Sequence, residues 1–361
     1  MPAPASLLQT IFLSLGIALM AGWILIVGKA VIVPVLSAVI AVYVLINGAA
    51  WLRRWTVLRH FPGWILHMAI LIAFVIGLFS MAAVIAVTLE EMADRAPDYQ
   101  ANLEAFVVHA AEAFGAESDT TWDDLRSMAF GQLDLPSRIG GLFSSLTSLA
   151  GSVFIIIIYA GFLMGQWASF PKKIADAFGS EGEAAWILEI GGEINGKIGD
   201  YLTVKTLVNI VLGILCYGVL WAMDVDFALF WAVCIGLLNY IPYLGSWIGV
   251  MLPVMLSFAQ FGDPGRTALL TLLLTAMQIF VGSVLEPRWI GRQLNLSPFV
   301  VILALSFWSA LWGISGAILA VPLTSVLAII FSEFPGTRPI AMLISDVGQR
   351  EDGAEPDRGA G

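Results

Sequence analysis

Apolar residues run along this chain in long blocks, not in the short alternating stretches of a water-soluble sheet. About 20 apolar residues are needed for a helix to cross the hydrocarbon core of a bilayer. Blocks of that size lie at Leu7–Val27, Val31–Trp51, Gly63–Val87, Leu142–Gln166, Val204–Ala222 and Thr267–Leu285. Two more, Phe227–Phe261 and Phe299–Phe331, are far longer. As straight rods they would measure roughly 50 Å, against a core of about 30 Å. Pro242 and Gly245 interrupt the first, Gly313 and Gly316 the second, with Pro322 as a further interruption. The pattern predicts an all-α polytopic membrane bundle of six full spans and two broken segments.

The polar stretches divide the chain further. Residues 1–87 hold three N-terminal spans, and 88–141 form an acidic extracytoplasmic helical domain with an apolar stripe at Leu103, Phe106, Val107 and Ala110. A fourth span occupies 142–166 and an amphipathic helical linker 167–203, with Trp186, Ile187 and Ile190 on one face. Residues 204–333 contain both broken segments, 227–261 and 299–331, and 334–361 read as a tail that ends in disorder. The order of one span followed by one broken segment occurs twice, at Val204–Phe261 and Thr267–Phe331, which predicts an inverted repeat.

Composition supports a lipid solvent. Of 361 residues, 59% are hydrophobic and 12% charged, where a soluble domain carries about 25% charged residues. The apolar run Ile11–Val27 has no basic residue before it and exceeds a signal-peptide core, so it reads as a retained span. Trp51, Trp55, Trp64, Trp167, Trp221 and Trp289 lie near span ends, as in an interfacial belt, whereas Trp308 and Trp312 suit a core.

The net charge is −10, and 11 of the 27 acids fall between Glu90 and Asp134. No basic cluster is available to neutralise phosphates, which excludes nucleic acid as a partner. Orientation follows from the arginines. Arg53, Arg54 and Arg59 crowd the second connection and place it, with both termini, in the cytoplasm. If 227–261 crossed once, Arg288 and Arg292 would fall outside; if it returns as a re-entrant hairpin they fall inside, and only Arg266 is misplaced. A second hairpin at 299–331 keeps Arg338, Arg350 and Arg358 inside.

Candidate chemistry is sparse. Cys216 and Cys234 sit in apolar runs as small core residues. His60, His67 and His109 do not converge, so no metal is expected. Gly191–Ile198 approaches a phosphate-binding loop but has Ile198 where the metal-binding hydroxyl belongs, and reads as helical linker. No nucleophile or paired-acid constellation is present, so neither an enzyme nor a cofactor is expected. The breaks are different. Unwound backbone at membrane depth is tolerated only inside protein or along a polar cavity. Asn239, Tyr240, Pro242, Tyr243, Gly245, Ser246 and Gly249 mark one candidate pathway element, and Gly313, Ser315, Gly316 and Pro322 the other.

At these residues the chain resembles the autoinducer-2 exporter family of bacterial inner-membrane transporters. Leu238-Asn-Tyr-Ile-Pro-Tyr-Leu-Gly-Ser-Trp-Ile-Gly249, Val284-Leu-Glu-Pro-Arg-Trp-Ile-Gly-Arg-Gln-Leu-Asn-Leu-Ser-Pro298 and Trp312-Gly-Ile-Ser-Gly-Ala-Ile-Leu-Ala-Val-Pro-Leu323 carry the likeness. The resemblance implies a homo-oligomeric exporter of a small polar solute, the quorum signal autoinducer-2 in some members and sodium–proton exchange in others. Exchange needs a titratable group in the membrane. Glu286, Asp263 and Asp224 are the candidates, all at span ends, and Glu286 has Arg288 and Arg292 as alternative partners. A third reading is a non-transporting scaffold that binds a partner through the acidic outer domain.

Overall fold

The computed structural model describes residues 7–53, 62–113, 135–167, 169–178, 181–290 and 296–345. The sequence expectations for Arg54, Arg59, His60, Arg292, Arg350, Arg358 and residues 114–134 lie outside them. The described elements are helices: α1 (Leu7–Val27), α2 (Lys29–Leu52), α3 (Gly63–Ala113), α4 (Leu135–Trp167), α5 (Phe170–Ala177), α6 (Glu181–Ala222), α7 (Ala228–Leu238) and α8 (Leu244–Phe261). They continue as α9 (Pro264–Phe280), a π-helical turn (Val281–Leu285), α10 (Glu286–Ile290), α11 (Pro298–Trp312), α12 (Ile314–Glu333) and α13 (Arg338–Ile344).

Among the described residues six helices are long and apolar enough to cross a membrane. They are not quite the six expected blocks. The arms α8 and α12 of the broken segments qualify. The expected fourth span ends in a 70° bend between α4 and α5, and α1 contributes a shorter apolar run. Two expected boundaries also disappear. α3 runs unbroken for 51 residues, about 76 Å, from the third span into the acidic region. α6 likewise joins the linker to the fifth span, so the near-phosphate-loop stretch is helix and Lys197 pairs with Glu193 one turn away (2.6 Å).

The chain forms two compact units. One comprises Met1–Val44, Ile155–Gly199 and Leu294–Gly361, and the other Leu45–Phe154 and Asp200–Gln293. In the first, α11 and α12 form a hairpin, Trp312 donates its indole N–H to the Leu25 carbonyl of α1 (2.9 Å), and Trp186 meets Phe334 edge-on. In the second, Val208, Leu212, Cys216 and Leu220 form a fully buried stripe on α6, one residue every turn. Trp231 and Ile235 of α7, Leu256 of α8, and Leu270, Leu274 and Val281 complete this core. Cys216 is buried as expected and Cys234 is partly so; both are free thiols.

Candidate functional site

The first broken segment folds back on itself. α7 and α8 are joined by the turn Asn239–Tyr243, and the carbonyl of Leu238 lies 1.8 Å from where a Cβ on Gly245 would stand. Only glycine admits that approach. Gly249 faces Ile235 one turn further along both arms, at ordinary van der Waals distance. The turn itself is strained. Tyr243 has φ 62 and ψ −59, and the Leu244 N–H donates to the Pro242 carbonyl (2.7 Å). That is the rare positive-φ γ-turn, a conformation that costs of order 1–3 kcal/mol and persists only where the surroundings enforce it.

Both ends of this hairpin meet the extension of α3. Arg95 pairs with Asp226 (2.9 Å), just before α7, and the Tyr99 hydroxyl donates to the other carboxylate oxygen (2.8 Å). Asn102 donates to the Gln260 carbonyl at the end of α8 (2.8 Å), and Phe106 packs edge-on against Phe258. Seven residues of α3 separate Arg95 from Asn102, and α8 is seven residues longer than α7, 18 against 11. Both differences amount to about 10 Å of helix. The two ends of the segment therefore lie along the same stretch of α3. Arg266 lies near the same end, held by the Met223 carbonyl and the ring of Phe261. The turn lies roughly 16 Å in from Asp226, the length of the 11-residue α7.

A row of polar groups meets the turn. Asn239 is buried and donates to Asn209 Oδ1 (2.8 Å), and Ser246 donates to Asn239 Oδ1 (3.4 Å). The hydroxyls of Tyr240 and Thr206 are 2.7 Å apart. Gly236, 3.0 Å by its would-be Cβ from the Asn209 carbonyl, lets α7 lie close enough to α6 for these contacts. The amide Nε2 of Gln278 is buried without a hydrogen bond and faces Gly249. Further along α6, Lys205 is 4% exposed and bonds Glu286 at 2.5 Å.

That ion pair corrects two expectations. Glu286 does not end a span, because the apolar helix continues to Trp289. Among the described residues its partner is not Arg288 but Lys205, 81 residues away in sequence. The π turn explains the geometry. At 100° per residue Glu286 would stand about 140° round from buried Val281. Widening the turn by one residue, with the Glu286 N–H bonded to the Val281 carbonyl, swings it back toward the core. The pairing was legible only as a hint: Lys205, Thr206 and Asn209 share one face of α6, between buried Leu202 and buried Leu212.

The remaining candidates have other surroundings. Asp263 caps α9, accepting from the N–H groups of Gly265 and Arg266. Asp224 sits in the turn before α7 with φ 56, and its carbonyl accepts from Gln260. In the second hairpin the break at Gly313 (φ 63, ψ −138) is as expected, and Gly316 approaches the Trp308 carbonyl to 1.9 Å by its would-be Cβ. Pro322 does not interrupt it: α12 passes through that proline among buried Leu319, Ala320 and Val321. Ser315 is half-buried, and the chief side-chain bond is from the Trp308 indole to Thr324 Oγ1 (3.1 Å). Among the described residues no group of His, Cys, Asp and Glu is placed to hold a metal ion.

Comparison with known proteins agrees with these features. The description of the AI-2E family of transporters matches residues 13–336. The AI-2 transport protein TqsA of Escherichia coli is 34% identical over 57% of this chain and 59% of its own length. A putative transport protein of Borreliella burgdorferi is 31% identical over 58% and 60%. A sodium-lithium/proton antiporter of Halobacillus andaensis is 26% identical over 86% and 91%. The first two matches thus cover about three-fifths of those relatives' length. The chain belongs to the AI-2E family of transporters and is a polytopic membrane protein; the family is one of transport proteins, not enzymes.

Proposed function

We propose that this AI-2E family member moves a small polar organic solute of the autoinducer-2 type outward across a bacterial inner membrane, with both termini in the cytoplasm. The observation that carries the reading is the strained turn Asn239–Tyr243, roughly 16 Å in from Asp226 along α7, where Asn239 bonds the amide of Asn209. Hydroxyls and amides at that depth suit a polyhydroxylated solute, which must exchange its water for protein hydrogen bonds. The turn's polar residues supply them from one hairpin. TqsA, which shares 34% identity, is named for AI-2 transport. The test is autoinducer-2 flux in proteoliposomes. Wild type should carry the solute and Asn239→Leu should lose most of the flux; equal flux overturns the reading.

A second reading, cation–proton exchange, is favoured by the Lys205–Glu286 pair. An ionisable pair within a span is a candidate proton or cation relay, and the Halobacillus relative is named as an antiporter. Everted vesicles containing the protein should then show a sodium-dependent pH change that Glu286→Gln removes; no such change rules exchange out. A homo-oligomer belongs to the same proposal, and cross-linking in native membranes tests it.

A further inference from the structure

We infer that the groove between α3, α6 and α7 is a binding site for one phospholipid with a zwitterionic, ammonium-bearing headgroup. Two adjoining clefts form it. The first, about 520 Å³, has walls almost wholly of carbon: Phe74, Leu78 and Met81 of α3 face Ile210, Ile214 and Leu229. Its polar groups are few: Asn209 and the Thr206–Tyr240 pair toward one end, and Tyr217 where it adjoins the second cleft. Such a surface offers a polar solute almost nothing to bond and offers an acyl chain continuous contact. The second cleft, about 560 Å³, shares Tyr217 and Leu229 with the first and is charged, with Glu91, Arg95 and Asp226 on its walls.

Position along α3 matches each cleft to part of a lipid. The apolar third span ends near Val87, so Glu91 and Arg95 stand at headgroup level, one and two turns beyond it. From Thr88 back to Phe74 the groove follows about 21 Å of helix, more than the roughly 15 Å of one leaflet's hydrocarbon. A chain anchored at the charged cleft therefore finds apolar wall along its whole length. Charge selects the headgroup. Two carboxylates and one guanidinium leave the cleft net negative, which disfavours an anionic lipid. An ammonium can approach Glu91 and Asp226 while the phosphate takes guanidinium donors of Arg95, whose Nη1 meets Asp226 and whose side chain is 52% exposed.

The site is tested by native mass spectrometry of the full chain titrated with phosphatidylethanolamine or phosphatidylglycerol of matched acyl chains. Wild type should retain one phosphatidylethanolamine per chain and prefer it at least fivefold. Glu91→Gln should bring that preference within twofold. Gly77→Phe fills the groove at a position with no atom within 4 Å of the new Cβ, and should cut retention of both lipids at least fivefold with the oligomeric state unchanged. A photo-crosslinking residue at Leu78 reads the occupant without relying on that variant, and should capture an adduct of phospholipid mass. Equal retention by wild type and Gly77→Phe, no headgroup preference, or capture of a peptide of a second copy would each overturn the proposal. Lipid retention is read without transport, so it stands or falls separately from the solute proposal.

Discussion

The two hairpins close in the same way and differ in what they enclose. In each, a glycine in the first turn of the second arm packs onto a carbonyl in the last turns of the first, Gly245 on Leu238 and Gly316 on Trp308. The first needs a five-residue turn with a strained tyrosine and opens onto buried amides; the second turns on Gly313 alone and is filled by indoles. Close backbone packing is thus the shared solution to folding an over-long apolar segment, while the residues around each turn decide its chemistry. A turn short enough to be made by one glycine leaves no backbone for a solute to bond. A longer turn exposes carbonyls and N–H groups, and side chains such as Asn239 must then satisfy them or something must bind there.

The largest effect should come from what the hairpins share. Gly245→Leu and Gly316→Leu each drive a side chain into backbone, so each should cost more than about 4 kcal/mol, read as loss of folded protein in detergent melts. If one is tolerated, the hairpins do not close alike. Next, Lys205→Met leaves Glu286 without its partner and should cost about 3 kcal/mol, while Lys205→Met with Glu286→Leu recovers most of that stability. Flux separates the roles: a pair that couples ions stays inactive in the stable double variant, and a structural pair does not.

Asn239→Leu and Thr324→Val sharpen the contrast between the turns. Each leaves a buried donor or acceptor unpaired and should destabilise by about 1–3 kcal/mol. Solute flux should fall about tenfold for Asn239→Leu, equivalent to about 1.4 kcal/mol in the barrier, and less than twofold for Thr324→Val. Equal losses would give the second hairpin the same part in transport as the first. The smallest effect is expected from Tyr243→Gly. It removes a positive-φ strain at a side chain that is already 55% exposed, and should raise stability by about 1 kcal/mol in a thermal melt.

Much of this protein is determined locally and can be read from its sequence. Block lengths against bilayer thickness mark the membrane helices, and the positions of Pro242, Gly245 and Gly313 mark both breaks. The arginine count favours a hairpin at the first break, and α7 and α8 do fold back on each other around the turn Asn239–Tyr243. Helix ends were less legible. The third and fifth spans pass into polar segments without a stop signal, because charged residues tolerate helix as well as apolar ones do. Pro322 reads as a break yet is carried inside α12, where packing on its neighbours outweighs one missing hydrogen bond. The buried pair of Lys205 and Glu286 was decided only by tertiary structure. Each looks like an ordinary charge at a span end, and the partner that makes burial tolerable lies 81 residues away. Periodicity reports which face of a helix is apolar; which distant charge faces it depends on how the helices pack and on a π turn that no local pattern announces.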